Sequence, residues 1–207
     1  VLGIPGGRSP RSVFNELIRL HKEEQLSFRN VIVFLVYEFY PLTVAAHSNL
    51  HHLKESFLDC VDIDPKNIYY PDGFMNKDAI YDFCIGYERQ IDALGGIDYL
   101  MLGIGHAGNI GFNNPGSSIS SRTHLVLLNN DSRKEAAHLF KSVDNVPASV
   151  ITMGLSTIMK AKNIFLLAWG EGKAHNVSQT VEGKISDAFP ATSLQNHPAT
   201  RVIIDLH

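Results

Sequence analysis

The stretch Val31-Ile32-Val33-Phe34-Leu35-Val36 decides the fold class. An unbroken apolar run rich in β-branched residues is typical of a strand that is covered on both faces, as in a parallel sheet flanked by helices. Similar runs predict strands at Val1–Ile4, Ile97–Ile104, Ile164–Trp169 and Val202–Leu206, and shorter ones at Thr123–Leu128 and Val150–Met153.

Helical patterns alternate with these strands. The clearest runs from Asp78 to Leu94, where apolar residues recur at steps of three and four, and Gly95-Gly96 is expected to end it. Another helix is expected to begin at Ser9-Pro10, with Ser9 as its N-cap, and to reach about Lys22. Further helices are predicted near Leu50–Cys60, Arg133–Phe140, Thr157–Lys162 and Lys173–Ile185. The alternation predicts an α/β fold, a doubly wound and mostly parallel sheet with helices on both faces.

The composition is that of one globular domain. The chain has 207 residues, of which 44% are hydrophobic and 19% charged, and its formal net charge of -3 gives no electrostatic reason to bind nucleic acid. No apolar run approaches the ~20 residues that span a membrane. The two cysteines, Cys60 and Cys84, are too few for a disulfide framework, which favours a cytoplasmic location. Both have apolar neighbours, so we expect them to be free thiols buried in the core. We expect residues 1–207 to form a single domain. Because Val1 lies inside a predicted strand, we also expect the domain to be truncated at its N-terminus, and a truncation at the C-terminus is a second possibility.

Ligands of such a sheet bind beyond the carboxyl ends of its strands. Three segments interpreted as loops take this position: Pro5–Pro10, Tyr37–Leu42 and Gly103–Pro115. In the first, Gly6 and Gly7 let the backbone approach an anion, and Arg8, Ser9 and the free N–H groups of the following helix supply donors. This segment is either a phosphate site or an ordinary tight turn.

The third loop rules out a dinucleotide site. Gly103-Ile104-Gly105-His106-Ala107-Gly108 has the spacing G-x-G-x-x-G, but the glycine and proline that follow it prevent the helix that such a site needs, and Leu128 stands where an acidic residue is required. A metal is not expected either, because His47 and His51 lack the glutamate of an H-E-x-x-H motif.

Taken together, the loops resemble the glucosamine-6-phosphate deaminase/isomerase family, whose fold also includes 6-phosphogluconolactonases. The resemblance covers nearly the whole chain. It is most specific at Gly103-Ile104-Gly105-x-x-Gly108-x-Ile110-Gly111-Phe112-Asn113-x-Pro115. The end of this motif, Phe112-Asn113-x-Pro115, favours the deaminase branch of the family over the lactonases. Leu2-Gly3-Ile4-Pro5-x-Gly7-x-Ser9-Pro10 resembles the family's phosphate loop, and Tyr37-Glu38-Phe39 takes the place of its Asp-Glu-Tyr. The resemblance implies a Rossmann-like, cytoplasmic homo-oligomer that needs no cofactor. The family converts glucosamine 6-phosphate to fructose 6-phosphate and ammonia.

The resemblance also assigns site residues. The catalytic positions are Tyr37, Glu38, His106, Asn109 and Asn114, and the phosphate- and sugar-binding positions are Gly6, Gly7, Arg8, Ser9, Gly105 and Gly108. Three catalytic positions differ from the family: Tyr37 replaces an aspartate, Asn109 a histidine and Asn114 a glutamate. An asparagine cannot relay a proton, and a tyrosine with its ordinary pKa of about 10 is a poor base at neutral pH. Gly6, Ala107, Ala148 and His138 replace a threonine, an aspartate, a lysine and an arginine.

Two functions stay open on this basis. One is an amino-sugar-phosphate deaminase or isomerase that uses His106, Glu38 and Tyr37 in altered roles. The other is a catalytically inactive pseudoenzyme that binds a phosphosugar. Both readings predict that Gly6–Ser9, Tyr37–Glu38 and Gly103–Asn114 converge in one cleft at the carboxyl edge of the sheet.

Overall fold

The apolar runs form strands, as expected. In the computed structural model, which describes residues 1–205, the strands are β1 (Leu2–Ile4), β2 (Val33–Leu35), β3 (Tyr37–Tyr40), β4 (Ile68–Tyr69), β5 (Tyr99–Gly103), β6 (His124–Leu127), β7 (Ser149–Thr152), β8 (Asn163–Ala168) and β9 (Thr200–Ile204). Six of them form one parallel sheet in the order β4-β2-β1-β5-β8-β9. The predicted fold class is confirmed. The last predicted strand begins two residues early, at Thr200, and its final residue, Leu206, lies outside the described residues.

Helices cover both faces of this sheet. They are α1 (Arg11–Glu24), α2 (Asn49–Ser56), α3 (Ile80–Ala93), α4 (Asn130–Phe140), α5 (Leu155–Met159) and α6 (Ala174–Glu182). Within β2 the side chains alternate: Val33 and Leu35 pack with Phe14 of α1, whereas Phe34 packs on the other face with Tyr87 of α3. The alternation in β2 explains why its sequence is apolar at every position.

The strand order reverses between β1 and β5. From β1 the chain moves to β2 on one side, and β5 then returns to pair with β1 on its other side. In an open α/β sheet such a switch point leaves a crevice at the carboxyl ends of the two strands. The loops after β1 and β5 therefore lie at the place where a ligand is expected.

A second sheet is present that the sequence analysis did not predict. The segment Tyr37–Leu42 was interpreted as a loop, and this is wrong, because its first four residues are β3. This strand pairs antiparallel with β7, and β7 pairs antiparallel with β6. The strands predicted at Thr123–Leu128 and Val150–Met153 therefore exist but lie outside the parallel sheet. Phe39 and Phe140 pack α4 against the small sheet, and Tyr40 and Cys84 pack α3 against it.

Two local predictions are also wrong. Helix α1 begins at Arg11 with Pro10 as its N-cap and without a side-chain cap, so Ser9 does not cap it. Cys84 is buried, but Cys60 is only partly buried, in a single turn of 3-10 helix. Gly95 and Gly96 do end α3, both with positive φ, the conformation that favours glycine. Among residues 1–205 we find no helix whose length and apolar character would let it cross a membrane.

Candidate functional site

A cleft of about 490 Å³ opens at the switch point. Its wall includes the loop after β1, the start of β3, the loop after β5, one face of α2, one face of α4, and Lys173. Of the predicted site residues, those in the lining are Gly6, Gly7, Arg8, Ser9, Tyr37, Gly105, His106 and Asn109. Glu38, Gly108 and Asn114 are not in the lining, so the expected convergence is incomplete.

The loop after β1 is held close to α2. A Cβ atom on Gly6 would collide with the side chain of Asn49, so only glycine fits there. The Ser9 carbonyl accepts a 2.7 Å hydrogen bond from the indole N–H of Trp169, which fixes the end of the loop where α1 begins. Arg8 and Arg11 are exposed and line the cleft, and neither has a carboxylate within 4.0 Å among residues 1–205. The loop therefore presents two uncompensated positive charges and a helix N-terminus to the cleft.

Tyr37 points from β3 into the cleft. Its ring packs edge-on against Phe112, with the ring centroids 4.8 Å apart, and a Cβ atom on Gly7 would lie 3.1 Å from its hydroxyl oxygen. Burial raises the pKa of Tyr37, and the negative charges of Glu38 and Glu135 raise it further. The hydroxyl is therefore protonated at neutral pH and acts in the cleft as a hydrogen-bond donor and acceptor, not as a base.

Glu38 points away from the cleft, because successive side chains of a strand face opposite sides. It is 1% exposed. Its carboxylate accepts hydrogen bonds from the Ser48 hydroxyl at 2.7 Å, from the backbone N–H groups of Phe39 and Asn49 at 2.9 Å and from that of Leu50 at 3.0 Å. Burial raises the pKa of Glu38, and these donors oppose the rise. The expectation that Glu38 lies in the cleft is wrong.

The loop after β5 folds tightly around Asn109. The Gly105 N–H donates to the Asn109 carbonyl at 2.9 Å, and a Cβ atom on Gly105 would collide with the Asn109 amide. Asn176 of α6 secures the loop from outside by donating to the carbonyls of Gly105 and His106 at 2.7 and 3.0 Å. As a result, His106 and Asn109 both border the cleft, and Asn109 is nearly buried there.

Two predicted residues of this loop lie elsewhere. Gly108 is buried with a φ of 71°, and any Cβ atom there would strike the ring of Phe189 at 2.5 Å, so its role is to pack the loop against the chain that follows α6. Asn114 contacts α4, where its amide oxygen accepts a 3.4 Å hydrogen bond from the hydroxyl of Ser132. Both positions therefore support the cleft from behind its lining.

Several cleft residues were not predicted as site residues. They are Arg11, Asn49, His52, Ser132, Glu135 and Lys173, with His138 considered only as a replacement. Ser132, Glu135, Ala136 and Leu139 repeat at helical spacing on α4, so this helix turns one continuous face to the cleft. This helical spacing is the one sequence signal for these residues, but it does not show that the face they form lines a cleft.

The charged groups on the α4 side of the cleft neutralise one another. Oε1 of Glu135 accepts a 3.2 Å hydrogen bond from the backbone N–H of His106 and lies 3.5 Å from Nε2 of the same residue. Nζ of Lys173 lies 3.9 Å from the same oxygen. Lys173 is therefore paired with a carboxylate, whereas Arg8 and Arg11 have no carboxylate within 4.0 Å among residues 1–205.

His52 borders the cleft on the α2 side. Its Nε2 atom is buried and has no hydrogen-bond partner among residues 1–205. Burial lowers the pKa of His52, and the neighbouring His51 lowers it further. Among residues 1–205 no group of three or more His, Cys, Asp or Glu side chains is placed to hold a metal ion.

Comparisons with known proteins agree with this architecture. Residues 1–203 match the family described as glucosamine-6-phosphate isomerases/6-phosphogluconolactonase. The chain is 40% identical over 206 residues to glucosamine-6-phosphate deaminase 1 of Bacillus subtilis, covering 99% of this chain and 84% of that protein. It is 56% identical over 207 residues to a protein of Bacteroides thetaiotaomicron named as glucosamine-6-phosphate deaminase-like, covering the whole of this chain but only 31% of the relative's length.

Solved structures give the same result. A monomeric glucosamine-6-phosphate deaminase superposes with a TM-score of 0.94 at 40% identity, over 99% of this chain and 85% of that one. A 6-phosphogluconolactonase from Trypanosoma brucei superposes with a TM-score of 0.76 at 19% identity, over 99% of this chain and 82% of that one, which is a likeness of fold alone. The chain belongs to the glucosamine-6-phosphate isomerase/6-phosphogluconolactonase family.

Proposed function

We propose, on the premise of this family membership, that the chain binds a sugar phosphate of the glucosamine 6-phosphate type in the switch-point cleft and releases ammonia from it poorly or not at all. The observation that carries the binding half of the proposal is the pair of uncompensated charges on Arg8 and Arg11 beside the glycine-rich loop and the N-terminus of α1. A phosphate monoester is the anion that such a combination of backbone donors and guanidinium groups suits best.

The size of the cleft supports a ligand of this class. A volume of about 490 Å³ is within the range of small-molecule sites, and the lining combines the apolar rings of Tyr37 and Phe112 with polar groups from Ser9, Asn49 and Asn109. A hexose has polar edges and apolar ring faces, and such a lining suits both.

The second half of the proposal rests on the groups that face the cleft. The family reaction needs side chains that take up and release protons, and the family's aspartate and histidine positions hold Tyr37 and Asn109. Tyr37 is protonated at neutral pH because burial raises its pKa. The amide of Asn109 donates a 3.4 Å hydrogen bond to the Gly111 carbonyl and cannot act as a general acid or base at neutral pH. Asn114, at the family's glutamate position, is outside the lining.

Two measurements on the same preparation test the proposal. Isothermal titration with glucosamine 6-phosphate is expected to show saturable binding, and a coupled ammonia assay with the same compound is expected to show little or no turnover. Glucosamine without the phosphate is the matched control ligand and should bind far more weakly. Absence of binding would contradict the first half of the proposal, and rapid release of ammonia would contradict the second.

A further inference from the structure

We propose that Trp169 is a positioning residue for the phosphate group of the ligand, because its indole N–H holds the Ser9 carbonyl and keeps the loop after β1 in its anion-binding conformation. The inference rests on the proposed function, since it names a residue outside the cleft on which the affinity of that same site depends.

Trp169 follows directly after β8, and its ring reaches the loop after β1. Its indole N–H donates a 2.7 Å hydrogen bond to the Ser9 carbonyl. Because β5 lies between β1 and β8 in the sheet, this bond joins two segments that no strand pairing connects. Trp169 does not line the cleft, so it acts on a ligand through the loop and not by contact.

Ser9 lies where the loop turns into α1. This helix has Pro10 at its N-cap position and no side-chain cap, so the usual anchor of a helix start is missing. Ser9 is held from two sides instead. Trp169 binds its carbonyl, and its hydroxyl oxygen lies over Gly103, where a Cβ atom would be 2.8 Å away from it. The end of the loop is therefore fixed between the ends of β5 and β8.

The same loop supplies the donors for an anion. Among residues 1–205, the backbone N–H groups of Gly6, Arg8 and Ser9 have no backbone acceptor. A loop that takes several conformations presents such donors together for only a fraction of the time, and the apparent affinity for a ligand falls by that fraction. A contact that fixes the loop before the ligand arrives therefore raises affinity without touching the ligand.

The position of Trp169 is itself fixed by the residue that follows it. Gly170 has a φ of 83°, which glycine takes readily, and its N–H donates to both carboxylate oxygens of Asp205, at 3.0 and 2.8 Å. A chain of contacts thus runs from Asp205, directly after β9, through Gly170 and Trp169 to Ser9.

A purely structural role for Trp169 makes a different prediction. If its hydrogen bond only stabilised the fold, its loss would lower the melting temperature and leave the dissociation constants of the folded protein unchanged. Tyr87 provides the matched case, because its hydroxyl donates a 2.7 Å hydrogen bond to the carbonyl of Leu35 and neither residue lines the cleft. Comparison of the two positions therefore separates positioning from stability.

The experiment measures dissociation constants by isothermal titration of the full chain with glucosamine 6-phosphate and fructose 6-phosphate. Trp169→Phe keeps an aromatic ring but loses the N–H, and it should weaken binding of both ligands by roughly three- to tenfold, the range expected for one ordinary hydrogen bond. The factor should be similar for both, because the phosphate is the group that the loop binds in each. Asp205→Ala, which frees the backbone next to Trp169, should weaken both ligands by a smaller factor.

Tyr87→Phe is the matched control and should leave both dissociation constants unchanged. Wild-type affinity in Trp169→Phe, or a loss confined to one of the two ligands, would overturn the inference and leave the proposed function standing. An equal loss in Tyr87→Phe would also overturn it, because affinity would then follow stability. Failure of both ligands to bind the wild type would overturn the inference and the proposed function together. If Trp169→Phe does not fold, Asp205→Ala decides the matter, and unchanged affinity in that variant overturns the inference.

Discussion

The carboxylate of Glu38 accepts a 2.7 Å hydrogen bond from the hydroxyl of Ser48, and this contact fixes the start of α2 against β3. Backbone N–H groups at the start of α2 donate to the same carboxylate, and a helix has no internal partners for these donors. Asn49 and His52 are on this helix and border the cleft. Glu38 therefore shapes the cleft from outside by positioning α2.

Replacement of Glu38 by glutamine should destabilise the protein. Glu38→Gln removes the charge and turns one acceptor oxygen into a donor that faces N–H groups, so we expect the free energy of unfolding to fall by roughly 2–3 kcal/mol. Denaturant unfolding measures it. Glu16→Gln is the control, because Glu16 is an exposed residue of α1 whose partner is Arg19, and it should have little effect. Equal stability of both variants would contradict the structural role of Glu38.

Anion affinity should depend on Arg8. We expect Arg8→Ala to weaken binding of fructose 6-phosphate several-fold, because the guanidinium group faces the cleft without a competing carboxylate within 4.0 Å among residues 1–205. Affinity of the wild type should also fall as salt is added, since the interaction is only partly shielded from solvent. Titration calorimetry at two ionic strengths tests both statements.

The control for this experiment is Arg29→Ala. Arg29 is exposed and lies outside the cleft, so its removal changes the net charge by the same amount without touching the site. If the two variants lose affinity equally, the effect is one of net charge and the placement of the phosphate near Arg8 is wrong.

His52 should make stability depend on pH. Burial lowers the pKa of His52 in the folded protein below its unfolded value of about 6.5, so the unfolded chain binds the proton more readily. The stability that neutral His52 contributes to the folded protein is therefore fully present above about pH 6.5 and is lost as the pH falls through the folded pKa. Urea unfolding at a series of pH values should show that the free energy of unfolding declines less with falling pH in His52→Asn than in the wild type.

A change elsewhere on the surface provides the comparison. His175 is an exposed histidine of α6 that does not line the cleft, and His175→Asn should leave the decline of stability with pH as it is in the wild type. An identical decline in wild type and His52→Asn would show that the burial of His52 has no energetic consequence.

Local patterns predicted five of the six strands of the parallel sheet because each of the five carries an apolar run; the two-residue strand β4 was not predicted. The run from Val31 to Val36 is apolar since β2 is covered on both faces, and Gly95-Gly96 ends α3 because both residues take positive φ. In the small sheet, β6 and β7 carry apolar runs and were predicted, but β3 and the antiparallel pairing were not. Tyr37–Tyr40 follows β2 after a single residue, and its pairing with Ser149–Thr152 joins segments more than a hundred residues apart.

The residues of the candidate site also fall into two groups, those that a local motif predicts and those that only the tertiary structure reveals. Gly6–Ser9 and Gly105–Asn109 were predicted because each is a contiguous motif at the end of a strand, and the structure brings all of the first motif and Gly105, His106 and Asn109 of the second to the cleft. Glu38 was misplaced because its neighbour Tyr37 does face the cleft, and only the alternation along β3 turns it away. Glu135 and Lys173 could not be predicted, since helix packing alone brings them together with His106.

Restoring the family's acid–base groups should raise ammonia release from glucosamine 6-phosphate. General acid–base groups each typically contribute ~100- to 10,000-fold to rate, and they act as a unit, so the combined variant Tyr37→Asp, Ala107→Asp, Asn109→His and Asn114→Glu should gain at least about 100-fold over the wild type. Tyr37→Asp alone is the control and should gain little, because Asn109 still cannot act as a general acid or base at neutral pH. A coupled ammonia assay measures all three proteins, and a thermal melt confirms that they fold.

Rapid release of ammonia by the wild type would contradict the prediction and point to His106 as the proton carrier, since Glu38 lies outside the cleft. In that event His106→Asn should abolish the activity and Glu38→Gln should reduce it only as far as it destabilises the fold.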